Sequence, residues 1–214
     1  LKGAAMKKIR SLSNAKIDEI SALIGASFWD YPYEDGEGGL KQFFPSKQAM
    51  TEYMKSFVIA GIESGTFYST DNGEGYILIT DTKGNHPNFR SIVKMARRMK
   101  NALGGWGNLF SFLKQANSDC DKKPLEIQMK KQKKPYVKVE MLIVTEKYQG
   151  QGYMRKLMEF AYKMAEKNGC PCILDTDAKG KCDRYVHLGM KLVQTRTAAG
   201  CMIYDLMYSK EGVN

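Results

Sequence analysis

No apolar run in this 214-residue chain approaches 18 residues, so no segment reads as a membrane-spanning helix. Histidine is nearly absent, with only His86 and His187, and the five cysteines are odd in number and irregular in spacing. These shortages exclude a zinc finger or other Cys/His metal centre, for which ligand spacing is diagnostic. They also argue against a disulfide framework, so the thiols read as reduced and the protein as cytoplasmic. Proline is scarce at six residues, and no Pro-, Gly- or Ser-rich tract or internal repeat interrupts the chain. With no linker to divide it, the chain suits a single domain with a full core, residues 6–214. Leu1 to Ala5 reads as an expression-tag remnant ahead of Met6.

Acidic residues are also in short supply, 23 against 33 Lys and Arg, and the net charge of +10 is unevenly placed. Residues 1–81 carry 8 basic and 11 acidic side chains, residues 139–214 carry 11 and 9, and residues 82–138 carry 14 and 3. The central segment holds Arg90, Lys94, Arg97, Arg98 and Lys100 on a helical pattern, then Lys130, Lys131, Lys133 and Lys134 before Pro135. A solvated helix face with a lysine-rich edge explains this better than a nucleic-acid surface, which needs a basic patch of defined geometry.

Hydrophobic periodicity predicts the elements. Lys8 to Leu12 can form a first strand. Ser13 or Asn14 can cap a helix with Ile17, Ile20, Leu23, Ile24 and Phe28 on its apolar face, and Ser46 a second helix stopped by Gly65. Two strands, 65–70 and 75–80, flank Asp71-Asn72-Gly73, a hairpin signal. Residues 82–138 read as a basic, partly helical insertion, with Phe89, Ile92, Val93, Ala96, Met99 and Leu103 at helical spacing. Strand pairing is expected to resume at Leu125 to Lys131 and at Tyr136 to Val144. Met190 to Thr197 and Cys201 to Tyr208, joined at Ala199-Gly200, complete the pattern as a hairpin. Strands, helices and a crossover after Val144 predict an α/β sheet of mixed direction.

The sharpest motif follows Val144. Tyr148-Gln149-Gly150-Gln151-Gly152-Tyr153-Met154-Arg155 leaves a strand and opens a helix, because Met154, Leu157, Met158, Ala161, Met164 and Ala165 keep helical spacing up to Gly169. Such a turn presents unpaired N–H groups and the positive end of a helix dipole to a phosphate. A dinucleotide fingerprint needs a third glycine where Arg155 stands, and a P-loop needs Gly-Lys-Ser/Thr; both are absent.

The remaining pattern, Gln149-x-x-Gly152-x-Met154, resembles the central motif of the GNAT superfamily of acyl-CoA N-acetyltransferases. The preceding strand Leu142-Ile143-Val144 and the later Tyr185-Val186-His187-Leu188-Gly189-Met190 extend the resemblance over roughly residues 139 to 208. Met154 replaces a small residue and Met190 a Phe of similar volume. The resemblance implies a mostly antiparallel twisted sheet flanked by helices, with the insertion placed before the central strand. The layout of the insertion and the aromatic loop is similar to the puromycin acetyltransferase-like branch, and members of the superfamily often form dimers.

It further implies acetyl-CoA as acyl donor and no metal. Backbone atoms of Leu142, Ile143 and Val144 would bind the pantetheine arm, and N–H groups from Gln149, Gly150, Gln151, Gly152, Tyr153, Met154 and Arg155 the pyrophosphate. Tyr185 occupies the position that protonates the leaving sulfur. A phenol of ordinary pKa about 10 is protonated at neutral pH and suits that role. Glu140 is the candidate base, because period-two spacing puts it on the same strand face as Leu142 and Val144. Between the first two helices, Trp29, Asp30, Tyr31, Tyr33 and Glu34, followed by Asp35 and Glu37, combine rings and carboxylates that suit a cationic acceptor. The expected activity is acetyl transfer to a primary amine of a small molecule by direct attack. A protein or peptide amine, or a non-catalytic acyl-CoA-binding module contacting an anionic partner, are the alternatives.

Overall fold

The computed structural model describes residues 6–34, 39–118, 121–198 and 200–210. Leu1 to Ala5, Asp35, Glu37, Cys120 and Ala199 lie outside them. Seven strands form one sheet in the order β1-β2-β3-β4-β5-β7-β6. They are β1 (Lys7–Lys8), β2 (Phe67–Ser69), β3 (Gly75–Asp81), β4 (Val137–Val144), β5 (Cys172–Thr176), β6 (Lys191–Ala198) and β7 (Cys201–Tyr208). Every neighbouring pair is antiparallel except β4 and β5. The first strand is shorter and earlier than its apolar pattern suggests. Ile9 still donates to Phe67 O, but Leu12 already turns into the helix layer.

Two helices precede β2: α1 (Asn14–Trp29), capped by Ser13, and α2 (Lys47–Ser64), capped by Ser46 and ended by Gly65 at φ 67°. Each serine accepts from a first-turn N–H, Lys16 and Ala49 respectively. Three helices separate β3 from β4: α3 (Phe89–Ala102), α4 (Trp106–Ser118) and α5 (Leu125–Lys131). Only the inner part of the α3 pattern is buried, at Met99 and Leu103, whereas Phe89 and Ile92 at its first turn face solvent. The strand expected at Leu125 to Lys131 is instead helix α5. Its apolar residues alternate, but Pro124 starts a helix, Glu126 and Lys130 pair at i,i+4, and basic residues fill the last turn.

The crossover from β4 to β5 is α6 (Tyr153–Asn168), and α7 (Lys179–His187) follows β5. Both pack on one sheet face, where Leu157, Met158 and Ala161 meet Ile77, Val139, Leu174 and Leu206. On the other face α1 and α2 cover β2 to β4 through Ile20, Ile24, Met50, Leu78, Met141 and Ile143. Among the described residues no helix is long and apolar enough to cross a membrane.

Two irregularities position the site. The parallel pairing of β4 with β5 stops after Val137–Cys172 and Lys138–Ile173, so among the described residues the rest of β4 has no strand partner on that side. The ladder between β3 and β4 also slips: Leu78 opposes Met141 while Ile79 opposes Val139, leaving Glu140 as a bulge.

Candidate active site

Beyond Val144 the chain makes a short 3-10 turn, Glu146–Tyr148, and then the glycine turn. Gly150 and Gly152 adopt φ of 73° and 81°, a region open to glycine at little cost, and no atom lies within 4 Å of a Cβ built on either. Conformation and outside access, not crowding from within, therefore demand the glycines. Among the described residues the N–H groups of Gly150, Gln151 and Gly152 donate to no backbone acceptor. Those of Tyr153, Met154 and Arg155 form the first turn of α6, where helix geometry supplies no acceptor. Gln149 anchors the turn by donating its side-chain amide to Val144 O at 3.3 Å. Gly150, Gln151, Gly152 and Arg155 are exposed, while Tyr153 and Met154 lean against the α6 layer. This cradle fits a pyrophosphate, and the unpaired edge at Leu142, Ile143 and Val144 fits an extended polar arm such as pantetheine.

Tyr185, on α7, is half-buried against the same layer, and its hydroxyl has no hydrogen-bond partner among the described residues. Burial, helped by the negative charge of Asp177, pushes its pKa up to about 12. It is protonated at neutral pH.

Glu140 does not share a face with Leu142 and Val144. The bulge reverses the alternation, so Leu142 and Val144 pack toward α6 while Glu140 turns to the opposite face beside Thr80. There Thr80 donates to one carboxylate oxygen at 2.8 Å and Lys138 contacts the other at 3.0 Å.

That face holds a cavity of about 330 Å³ floored by β4, β5, β6 and β7 and roofed by α5, Phe112 of α4 and the 3-10 turn Leu40–Phe43. Its polar floor centres on Lys138, whose ammonium is 2.7 Å from Glu126, 3.0 Å from Glu140 and 3.7 Å from Asp175. Burial alone would lower the lysine pKa; the three carboxylates outweigh it and hold it well above the ordinary value. Arg196 lies 3.0 Å from Asp205 and 3.5 Å from Asp175. Glu126, Lys138, Asp175, Arg196 and Asp205 were not among the sequence candidates. For Lys138, Asp175 and Asp205 the available signal was a charged residue inside a largely apolar strand, which burial makes costly unless it is paired; Glu126 on α5 and Arg196 in the polar β6 carried no such signal.

The aromatic loop reaches the cavity through Asp177. Tyr33 donates its hydroxyl to Asp177 at 2.7 Å, Leu40 its N–H at 3.0 Å and Lys181 its ammonium at 2.8 Å. Burial alone would raise the Asp177 carboxyl, but Lys181 and these donors hold it below the ordinary range. Lys181 also stands over the rings of Phe28, Tyr31 and Tyr33 at 4.6, 4.3 and 5.0 Å. The cation in this aromatic cage is thus the chain's own lysine. Trp29 packs in the α1–α2 layer, Asp30 pairs with Lys47, and Glu34 is exposed.

Comparisons with known proteins bear on the fold and the family. The fold is similar to an N-acetyltransferase from Staphylococcus aureus Mu50, with a TM-score of 0.52 at 14% identity over 96% of this chain and 100% of the other. It is also similar to the C-terminal condensation domain of Ebony, solved with beta-alanyl-dopamine, with a TM-score of 0.57 at 12% identity over 96% and 99%. A mosquito arylalkylamine N-acetyltransferase like 5b matches with a TM-score of 0.52 at 12% identity over 95% and 98%. No curated protein sequence matches the chain. Residues 62–189 match the model of the acetyltransferase (GNAT) family, a span that runs from α2 through the glycine turn to the Tyr185 helix. The chain belongs to the GNAT family and is an acyl-CoA-dependent N-acetyltransferase.

Proposed function

We propose that the protein transfers an acetyl group from acetyl-CoA to a primary amine of a small molecule. The observation that carries this reading is the roofed cavity of about 330 Å³ on the sheet face opposite α6, floored by strands on both sides of the β4–β5 gap. That volume lies at the low end for small-molecule sites and suits a compact acceptor better than a folded protein segment. Its carboxylate-rich floor favours a cation. Acetyl-CoA, when bound, supplies an activated thioester. Residues from Gly150 to Arg155 hold the phosphates, and the β4 edge at Leu142 to Val144 orients the arm.

In the reaction the amine nitrogen forms a C–N bond as the C–S bond breaks, and Tyr185 gives its hydroxyl proton to the departing sulfur. Both oxygens of Glu140 are engaged, so the amine proton passes to water rather than to this carboxylate. An amine-panel assay that follows CoA thiol release and records product masses tests the proposal. Release with small amines and products heavier by one acetyl group are expected. Binding of CoA without release from any small amine, or release with peptide amines alone, would overturn it.

A further inference from the structure

Asp175 is one of five carboxylates in or beside the cavity, and the other four are engaged in hydrogen bonds. Glu126 accepts from Lys130, Lys138 and Tyr136, and Glu140 from Thr80. Asp177 accepts three bonds, and Asp205 accepts from Arg196 and Gln194. The Asp175 carboxylate makes no hydrogen bond among the described residues. Its two ion pairs, 3.5 Å to Arg196 and 3.7 Å to Lys138, are the longest in the floor. Its side chain is 42% exposed, against 14% for Lys138 and 6% for Arg196.

Three further facts select it. Asp175 lies two residues past Ile173, the last residue of β5 to pair with β4, and so stands where the gap opens. It faces Asp205 directly across the β5–β7 ladder, and like charges in that register repel. Three cations, Lys130, Lys138 and Arg196, thus face four carboxylates, Glu126, Glu140, Asp175 and Asp205, and the floor is left short of positive charge. Apolar walls at Leu40, Phe43 and Phe112 line the same space.

We propose that Asp175 is the carboxylate that pairs with the ammonium of the acceptor, and that the acceptor is a compact primary amine on an aromatic or apolar body. The proposal rests on the acetyl-transfer reading and adds the group that selects the acceptor. The ammonium docks against Asp175 with its body on the apolar wall and gives one proton to water before the nitrogen attacks.

The test compares wild type, Asp175→Asn and Asp175→Glu as full chains, with 2-phenylethylamine as a cationic acceptor and aniline as one uncharged at neutral pH. Asp175→Asn is expected to raise the KM for 2-phenylethylamine about 10- to 100-fold, as loss of a charge-assisted contact does. Its KM for aniline and its CoA affinity by calorimetry should stay within about twofold, and Asp175→Glu should recover most of the loss. Melting temperature checks the fold, and Asp175→Ser replaces the Asn variant if that one does not fold. Three results overturn the proposal: an unchanged KM for 2-phenylethylamine, an equal rise for aniline, or a wild-type protein that does not use 2-phenylethylamine. If in the third case other amines still give thiol release, the acetyl-transfer reading stands and only this proposal falls.

Discussion

Replacing Lys138 by Met removes the one ammonium that contacts Glu126, Glu140 and Asp175, at 2.7, 3.0 and 3.7 Å. At an effective dielectric of about 20 the two closer contacts are each worth roughly 6 kcal/mol before desolvation, which cancels most of it. The variant, however, leaves Glu140 behind without a cation, while Glu126 keeps Lys130 and Asp175 keeps Arg196. Breaking a buried pair in this way costs about 3–5 kcal/mol, and that is the loss expected at neutral pH. The pH dependence gives a sharper check. Burial alone would raise the Glu126 carboxyl from its ordinary 4.5, but Lys138 and Lys130 bring it down to about 2. A carboxyl lowered in the folded state stabilises fully above its unfolded pKa, and the contribution is lost as pH falls from 4.5 toward 2. With a quarter of the side chain in water, this contribution is about 2–3 kcal/mol. The penalty of the Met variant should therefore be largest near neutral pH and shrink below pH 4.5, as its carboxylates take up protons. Urea unfolding followed by circular dichroism, at about pH 7 and about pH 4, measures both quantities. A loss below about 1 kcal/mol at neutral pH, or one that is the same at both pH values, would refute the reasoning.

Tyr185→Phe should lower kcat about 10²- to 10⁴-fold with little change in either KM, in steady-state assays of thiol release; undiminished turnover removes the tyrosine from the mechanism. Gly152→Ala places a side chain at φ 81° in open space where phosphates would bind. Calorimetry should show CoA affinity falling at least about tenfold, while the melting temperature drops only about 2–4 °C, the strain of one left-handed residue. Lys181→Met leaves Asp177 without its cation and empties the cage of Phe28, Tyr31 and Tyr33. A loss of roughly 2–4 kcal/mol in urea unfolding is expected, and a change under about 0.5 kcal/mol would mean that the loop is held by other contacts.

Elements announced by local chemistry were legible in the sequence. The caps Ser13 and Ser46, the stop at Gly65, the hairpin before Gly75 and the glycine turn before α6 each act within a few residues, so their signals are sequential. Helix α5 departs from the strand expected at Leu125 to Lys131: Leu125, Ile127 and Met129 alternate, but alternation is a weak guide in a seven-residue element. Pro124 and the Glu126–Lys130 spacing held the correct answer.

The candidate site divides the same way. The donor half depends on backbone groups of one contiguous strand–turn–helix, and its glycines, its open N–H groups and Tyr185 downstream were all marked in the linear order. The acceptor half depends on which residues of distant strands share a face. One bulge beside Leu78 turned Glu140 away from Leu142 and Val144, and the register of β5 on β7 set Asp175 against Asp205. By itself the sequence determined the glycine turn before α6, because that turn is built from local backbone conformation. Tertiary structure alone decided the cavity floor, because strand register and the end of the β4–β5 pairing determine which charges meet.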